Sequence, residues 1–214
     1  MTKKTPANRR SITMAVDQND EGSWHNGGDI EILLYARSLR KAAKTLIETL
    51  HLAPNPQTAW EACPVILLYR QSVELHLKAL VGEGSNFLPS PTDPITLYKT
   101  HSLRWLAQIA GQIIKVVRWE NAFKCEGVTS LADFSAVVNK LEALDPVTVA
   151  VRPGNRRSDC WVPNELLPAN VVQFSKTLDA LIDLLDATAD ALAAMGDQVE
   201  SSVEEKFQGK PTIH

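Results

Sequence analysis

Cysteine and histidine are scarce in this 214-residue chain, which holds three of the first and five of the second. Cys63, Cys125 and Cys160 are odd in number, widely spaced and form no CxxC pair, which argues against a zinc site and against a disulfide framework. A reducing cytoplasm is the compartment that suits such thiols. The formal net charge is only −3, so nothing pulls the whole molecule toward nucleic acid or an acidic membrane, and any such contact needs a local patch. No apolar run approaches the about 18 residues of a membrane span. The basic start (Lys3, Lys4, Arg9, Arg10) is not followed by the apolar segment of a signal peptide. Glycine-rich phosphate loops, HExxH, GxSxG and paired carboxylates are missing too. Nothing alternates with the period of a strand, and nothing repeats. The expectation is a soluble cytoplasmic protein with no cofactor, no metal and no membrane contact.

Helical periodicity fills the space those absences leave. Residues 1–27 are polar, with Gly22 and Gly27, and read as a flexible basic arm. Asp29 suits the N-cap of an amphipathic helix to about Leu52, stopped by Pro54 and Pro56. Thr58 to Glu61 is a capping-box pattern for a second helix, in which Pro64 predicts a kink or a restart and Gly82 or Gly84 an end. A loop from Glu83 to about Lys99 leads to a third helix near His101–Trp119. A fourth opens at Ser130 and stops before Asp145. The strip Val147–Val151 is β-prone, and the polar stretch behind it is irregular. Pro168 fits the first turn of a long last helix that Gly196 closes. The fold expected is all-α: an up-and-down bundle of about five helices over 28–196, with a short irregular or β-like insertion before the last helix and a disordered tail over 197–214.

The second helix holds the most telling residues. PVILLYRQSVELHLKALV, from Pro64 to Val81, is apolar around most of its circumference, yet it carries Arg70, Glu74, His76 and Lys78. At about 100° per residue, Arg70, Glu74 and Lys78 share roughly 80° of arc and form one polar stripe. Arg and Lys held by a carboxylate can grip a phosphate. The simpler reading is that Glu74 pairs with both cations and locks the bundle, and one carboxylate between two cations favours it.

Three motifs in this order, Arg70-x3-Glu74-x3-Lys78, His101-Ser102-Leu103 and Arg152-Pro153-Gly154, resemble the HEPN-like bacterial proteins over about residues 30–190. The resemblance implies a four-to-five-helix bundle acting as a homodimer, in toxin–antitoxin, phage-defence or RNA-processing systems. Active relatives cut RNA without metal through an Arg-x4–6-His motif near the last helices. Here the corresponding loop has Arg152, Arg156 and Arg157 but no histidine. The spacing recurs at Arg70 and His76, on another helix and roughly 120° apart, so the two side chains point to different surfaces. His101 is the other weak catalytic candidate; in the order of the motif it contacts Glu74. Arg152, Arg156 and Arg157 with Trp161 have the composition that holds single-stranded nucleic acid.

The reading these features support is a non-catalytic HEPN-like helical domain that binds RNA, a nucleotide or a partner protein. Two alternatives stand beside it: a metal-independent endoribonuclease of the toxin type, and a structural oligomerisation module in which the polar stripe is a dimer lock.

Overall fold

A computed structural model describes residues 28–50, 56–144 and 166–208 of the chain. The described residues form six α-helices, one 3-10 turn and no strand: α1 Gly28–Thr49, α2 Pro56–Gly84, the turn Ser85–Phe87, α3 Pro94–Lys99, α4 Leu103–Val116, α5 Leu131–Ala143 and α6 Pro168–Gln208. The all-α bundle is therefore the fold. The arm over 1–27, the strip Val147–Val151 and the segment holding Arg152, Arg156, Arg157 and Trp161 lie outside the described residues.

α2 is the central element, because its sequence is apolar on nearly every side. Val65, Ile66, Tyr69, Val73, Leu77 and Leu80 are all fully buried. Side-chain contacts fix the directions of its neighbours. Ser72 Oγ donates to the Ala36 carbonyl, and the short connection makes α1 antiparallel to α2. His76 faces Asp186 and Gly84 faces Leu192, so α6 runs parallel to α2. Arg70 meets His101 and Gly84 meets Ile113, so α4 is parallel as well. α5 returns antiparallel to α4, placing Asn139 and Glu142 against Arg104 and Ser102.

Local chemistry sets the helix ends. Ser102 caps α4 by accepting from Trp105 N–H, and Ser130 caps α5 by accepting from Asp133 N–H. Asp133 answers by accepting from the Ser130 hydroxyl and from Thr129, a reciprocal box at the N-terminus. α4 ends in a Schellman pair: Trp119 N–H donates to the Ile114 carbonyl and Arg118 N–H to that of Lys115. The left-handed position there is held by Arg118, at φ 62°, not by glycine.

Three boundaries differ from the sequence expectation. The stretch Glu83–Lys99 is not wholly a loop, since α3 forms inside it. Asp93 is its N-cap, accepting from Thr96 N–H and hydroxyl, with Pro94 at the first helical position. α2 does not restart at Pro64: the helix runs unbroken from Pro56 to Gly84 with Pro64 inside it, on an exposed face. Gly196 does not close α6, which runs on to Gln208. Glycine ends a helix by adopting a left-handed φ, and Gly196 keeps a helical one in open space, so part of the stretch assigned to a disordered tail is helical.

α3 matters beyond its length. It carries the chain back along α2, with Leu97 beside Gly82, so that α4 begins beside the middle of α2 and not at its end. That return brings Tyr98 and His101 onto the polar stripe.

Candidate functional site

The stripe is built on one buried carboxylate. The Glu74 side chain is 1% exposed, and its Oε1 accepts from Lys78 Nζ at 2.9 Å and from His101 Nδ1 at 2.9 Å. A carboxylate oxygen only accepts, so His101 carries its proton on Nδ1. Arg70 Nη1 lies 3.6 Å from Glu74 Oε2. The two cations also bind backbone: Arg70 Nη2 donates to the His101 carbonyl at 3.1 Å, and Lys78 Nζ to the Tyr98 carbonyl at 3.1 Å. The cluster therefore staples α2 to the α3–α4 connection. Lys78 is 5% exposed, whereas the His101 side chain is 72% exposed and presents its second nitrogen outward. Arg70 Nε and Glu74 Oε2 are buried without a hydrogen-bond partner among the described groups.

His76 belongs to a different surface. It is fully buried, and its Nδ1 sits 2.8 Å from the Ser72 carbonyl, so that nitrogen holds the proton. Nε2 points toward α6, 3.9 Å from Asp186 Oδ1. Burial, opposed by the Ser72 bond and Asp186, lowers the His76 pKa from its ordinary value and keeps the ring neutral. Arg70 faces α4 while His76 faces α6, so the fold does not bring the two into one site.

A second ionic cluster joins α1 to α6. Arg40 Nε donates to Asp179 Oδ1 at 2.7 Å, Nη2 reaches Asp183 Oδ2 at 2.9 Å and the Asp179 carbonyl at 3.0 Å, and Nη1 also pairs with Asp183. Arg37 forks onto both oxygens of Asp186 at 2.8 Å, and Lys44 lies 3.4 Å from Asp179. The Asp183 bond raises the Arg40 pKa, and Arg40 in turn lowers that of Asp183. The buried Tyr69 hydroxyl lies behind this network, its pKa raised first by burial and then by Asp179.

Sequence reasoning did not single out Arg37, Arg40, Asp179, Asp183 or Asp186. A signal was present: cations at 37, 40 and 44 and carboxylates at 179, 183 and 186 both follow helical steps. Their partnership across about 140 residues is a tertiary fact.

Among the described residues no group of three or more His, Cys, Asp or Glu side chains could hold a metal ion. No described helix is long and apolar enough to cross a membrane. No protein-family model matches the chain, and no curated protein or solved structure matches it. The functional reading therefore rests on this chain's own geometry.

Proposed function

We propose that this chain is a non-catalytic helical domain of the HEPN-like kind, whose work is to bind a partner protein rather than to cleave RNA. The observation that carries the reading is the separation of Arg70 from His76. A general acid or base must come within hydrogen-bond reach of the group it serves. His76 is sealed in the core, and Arg70 is engaged by Glu74 and the His101 carbonyl. The cations of both clusters are likewise held by carboxylates or carbonyls, which removes them from competition for phosphate. A protein partner is favoured over RNA because large apolar side chains stand exposed on α1 and α2: Leu34, Tyr35, Leu46 and Leu67. The resemblance to HEPN-like proteins is what supports a cytoplasmic defence or toxin–antitoxin setting for such a domain.

The test is RNA binding across a salt series, with cleavage read in the same tubes, for wild type and an Arg152→Ala, Arg156→Ala, Arg157→Ala triple variant. The expected result is intact RNA and negligible affinity at every salt. Cleavage by the wild type that is lost in Arg70→Ala or His76→Ala overturns the non-catalytic reading. Salt-sensitive binding that vanishes in the triple variant puts RNA in the place of the protein partner.

A further inference from the structure

His76 and His101 hold the same tautomer in opposite surroundings. Each ring carries its proton on Nδ1: His76 donates from it to the Ser72 carbonyl at 2.8 Å, and His101 to Glu74 Oε1 at 2.9 Å. In a neutral imidazole the other nitrogen, Nε2, then keeps a free lone pair. Burial puts the Nε2 of His76 beyond reach of any reagent, whereas the His101 side chain is 72% exposed. Of the two, only His101 can use its lone pair on another molecule.

The carboxylate beneath that ring has a chemical consequence. When the Nε2 lone pair forms a bond, the ring keeps its Nδ1 proton and becomes cationic. Glu74, 1% exposed, meets that charge at hydrogen-bond distance and away from water, where a charged hydrogen bond is strong. A carboxylate so placed fixes the tautomer and stabilises the imidazolium. Glu74 is itself held in position. Lys78 donates to the same oxygen, and Lys78 and Arg70 are tied in turn to the Tyr98 and His101 carbonyls. Two cations around one carboxylate leave one positive charge in excess, which favours an added anionic group without either cation releasing Glu74. The ring also stands directly before Ser102, the N-cap of the 14-residue α4, where a helix favours negative charge.

Exposure decides between kinds of chemistry. An enzyme acting on a small substrate encloses it, and a ring 72% open to solvent encloses nothing. A histidine that accepts a group from another protein needs the reverse, because it must enter that protein's active site.

We propose that His101 is a phosphoryl-acceptor residue, modified on Nε2 by an activated donor of the acyl phosphate or phosphoramidate class, with Glu74 as its positioning residue. The Nε2 lone pair attacks phosphorus. The P–O bond of the acyl phosphate, or the P–N bond of the phosphoramidate, breaks, and its electron pair leaves with the carboxylate or the amine. The ring loses no proton and nothing is oxidised or reduced: a neutral imidazole becomes an Nε2-phosphoryl imidazolium paired with Glu74. This modification goes beyond the partner-binding reading and holds whichever partner the chain takes.

The test is incubation of the full chain with potassium phosphoramidate, with the phosphoryl group located by peptide mass spectrometry and its ring position by phosphorus NMR. The expected product is an acid-labile adduct on Nε2 of His101, formed about tenfold faster than on His25, His51 or His214. His101→Asn should remove the fast phase with unchanged circular dichroism. Glu74→Gln keeps the shape and an acceptor for Nδ1–H but not the charge, and should slow His101 to the rate of the other three. Wild type in denaturing urea, where Glu74 no longer meets the ring, gives the same comparison if that variant does not fold. Labelling of His101 no faster than the other histidines, or on Nδ1, overturns the proposal. A His101 rate that neither Glu74→Gln nor denaturation lowers overturns it too. RNA binding in the salt series would defeat the partner-protein reading and leave this result standing, and an unreactive His101 would leave that reading intact.

Discussion

Glu74 is the residue on which the centre of the bundle depends. Its carboxylate is removed from water and answered by Lys78, His101 and Arg70, so deleting it leaves a nearly buried ammonium group without its counter-charge. Breaking such a pair from one side costs roughly 3–5 kcal/mol. Glu74→Ala should lower unfolding stability by that order in urea titration, whereas His101→Ala, at an exposed side chain, should cost under about 1 kcal/mol. Equal losses would mean that the carboxylate is not the hub. Gly127 is a second residue with one physical demand upon it. It turns the chain between Cys125 and Val128 at φ 81°, and an added Cβ would lie 2.9 Å from Thr177 Cγ2. Gly127→Ala therefore meets both a left-handed backbone and a clash, and a loss of about 2 kcal/mol is expected from thermal or urea unfolding. Arg118 holds the same kind of backbone with a side chain that strains it. Arg118→Gly should raise stability by about 1 kcal/mol, a gain readable as a higher denaturation midpoint.

Among the elements, α1 and α6 are joined chiefly by charge. The arginines are not equivalent. The Arg40 side chain is 17% exposed and joins Asp179 to Asp183, while that of Arg37 is 48% exposed and holds Asp186 at the rim. Exposed pairs contribute under about 1 kcal/mol after screening. Arg40→Ala should thus cost about 2 kcal/mol, because two aspartates lose a shared partner, and Arg37→Ala should fall within a few tenths of wild type. Denaturation at low and high salt separates them, since the Arg37 contribution should fade with salt and most of the Arg40 contribution should persist. α3 shows how far an element is readable from sequence. Its Asp93-Pro94 start is a regular N-terminal signal, yet six residues among prolines and serines give too little periodicity to stand out. The restart expected at Pro64 and the stop expected at Gly196 failed for a related reason. Each residue breaks a helix in isolation, but α2 and α6 are held by packing along their length, and packing outweighs about 1–3 kcal/mol of local propensity.

For the whole molecule, buried His76 makes stability depend on pH. Its pKa is lowered in the fold, so the unfolded chain binds a proton that the folded chain refuses. Stability is unaffected above the ordinary value of 6.5 and falls as the pH drops through it. The groups around the ring are Asp186 and Asp183 on α6 and Arg37 and Arg40 on α1. Asp183, depressed by Arg40, acts separately: its contribution is present above the ordinary carboxylate value of 3.8 and is lost as the pH falls through the lower folded value. Unfolding midpoints should therefore decline in two stages on acidification. His76→Gln should flatten the first and leave the second; an unchanged first stage would assign it to another group.

What the sequence determined by itself was everything carried by short-range pattern. Apolar residues at helical spacing, Ser102 and Ser130 before the runs they cap, and one polar stripe on an otherwise apolar helix are local facts. They made the all-α bundle, most of its helices and the residues of the Glu74 cluster legible. The tertiary structure alone decided which surfaces those residues face. Arg70 and His76 share a helix and a motif-like spacing, but one is turned to α4 and the other sealed against α6. Arg40 finds its carboxylates 139 and 143 residues away. Periodicity fixes the angle of a side chain about its own helix axis, and the packing of the other helices decides what lies at that angle.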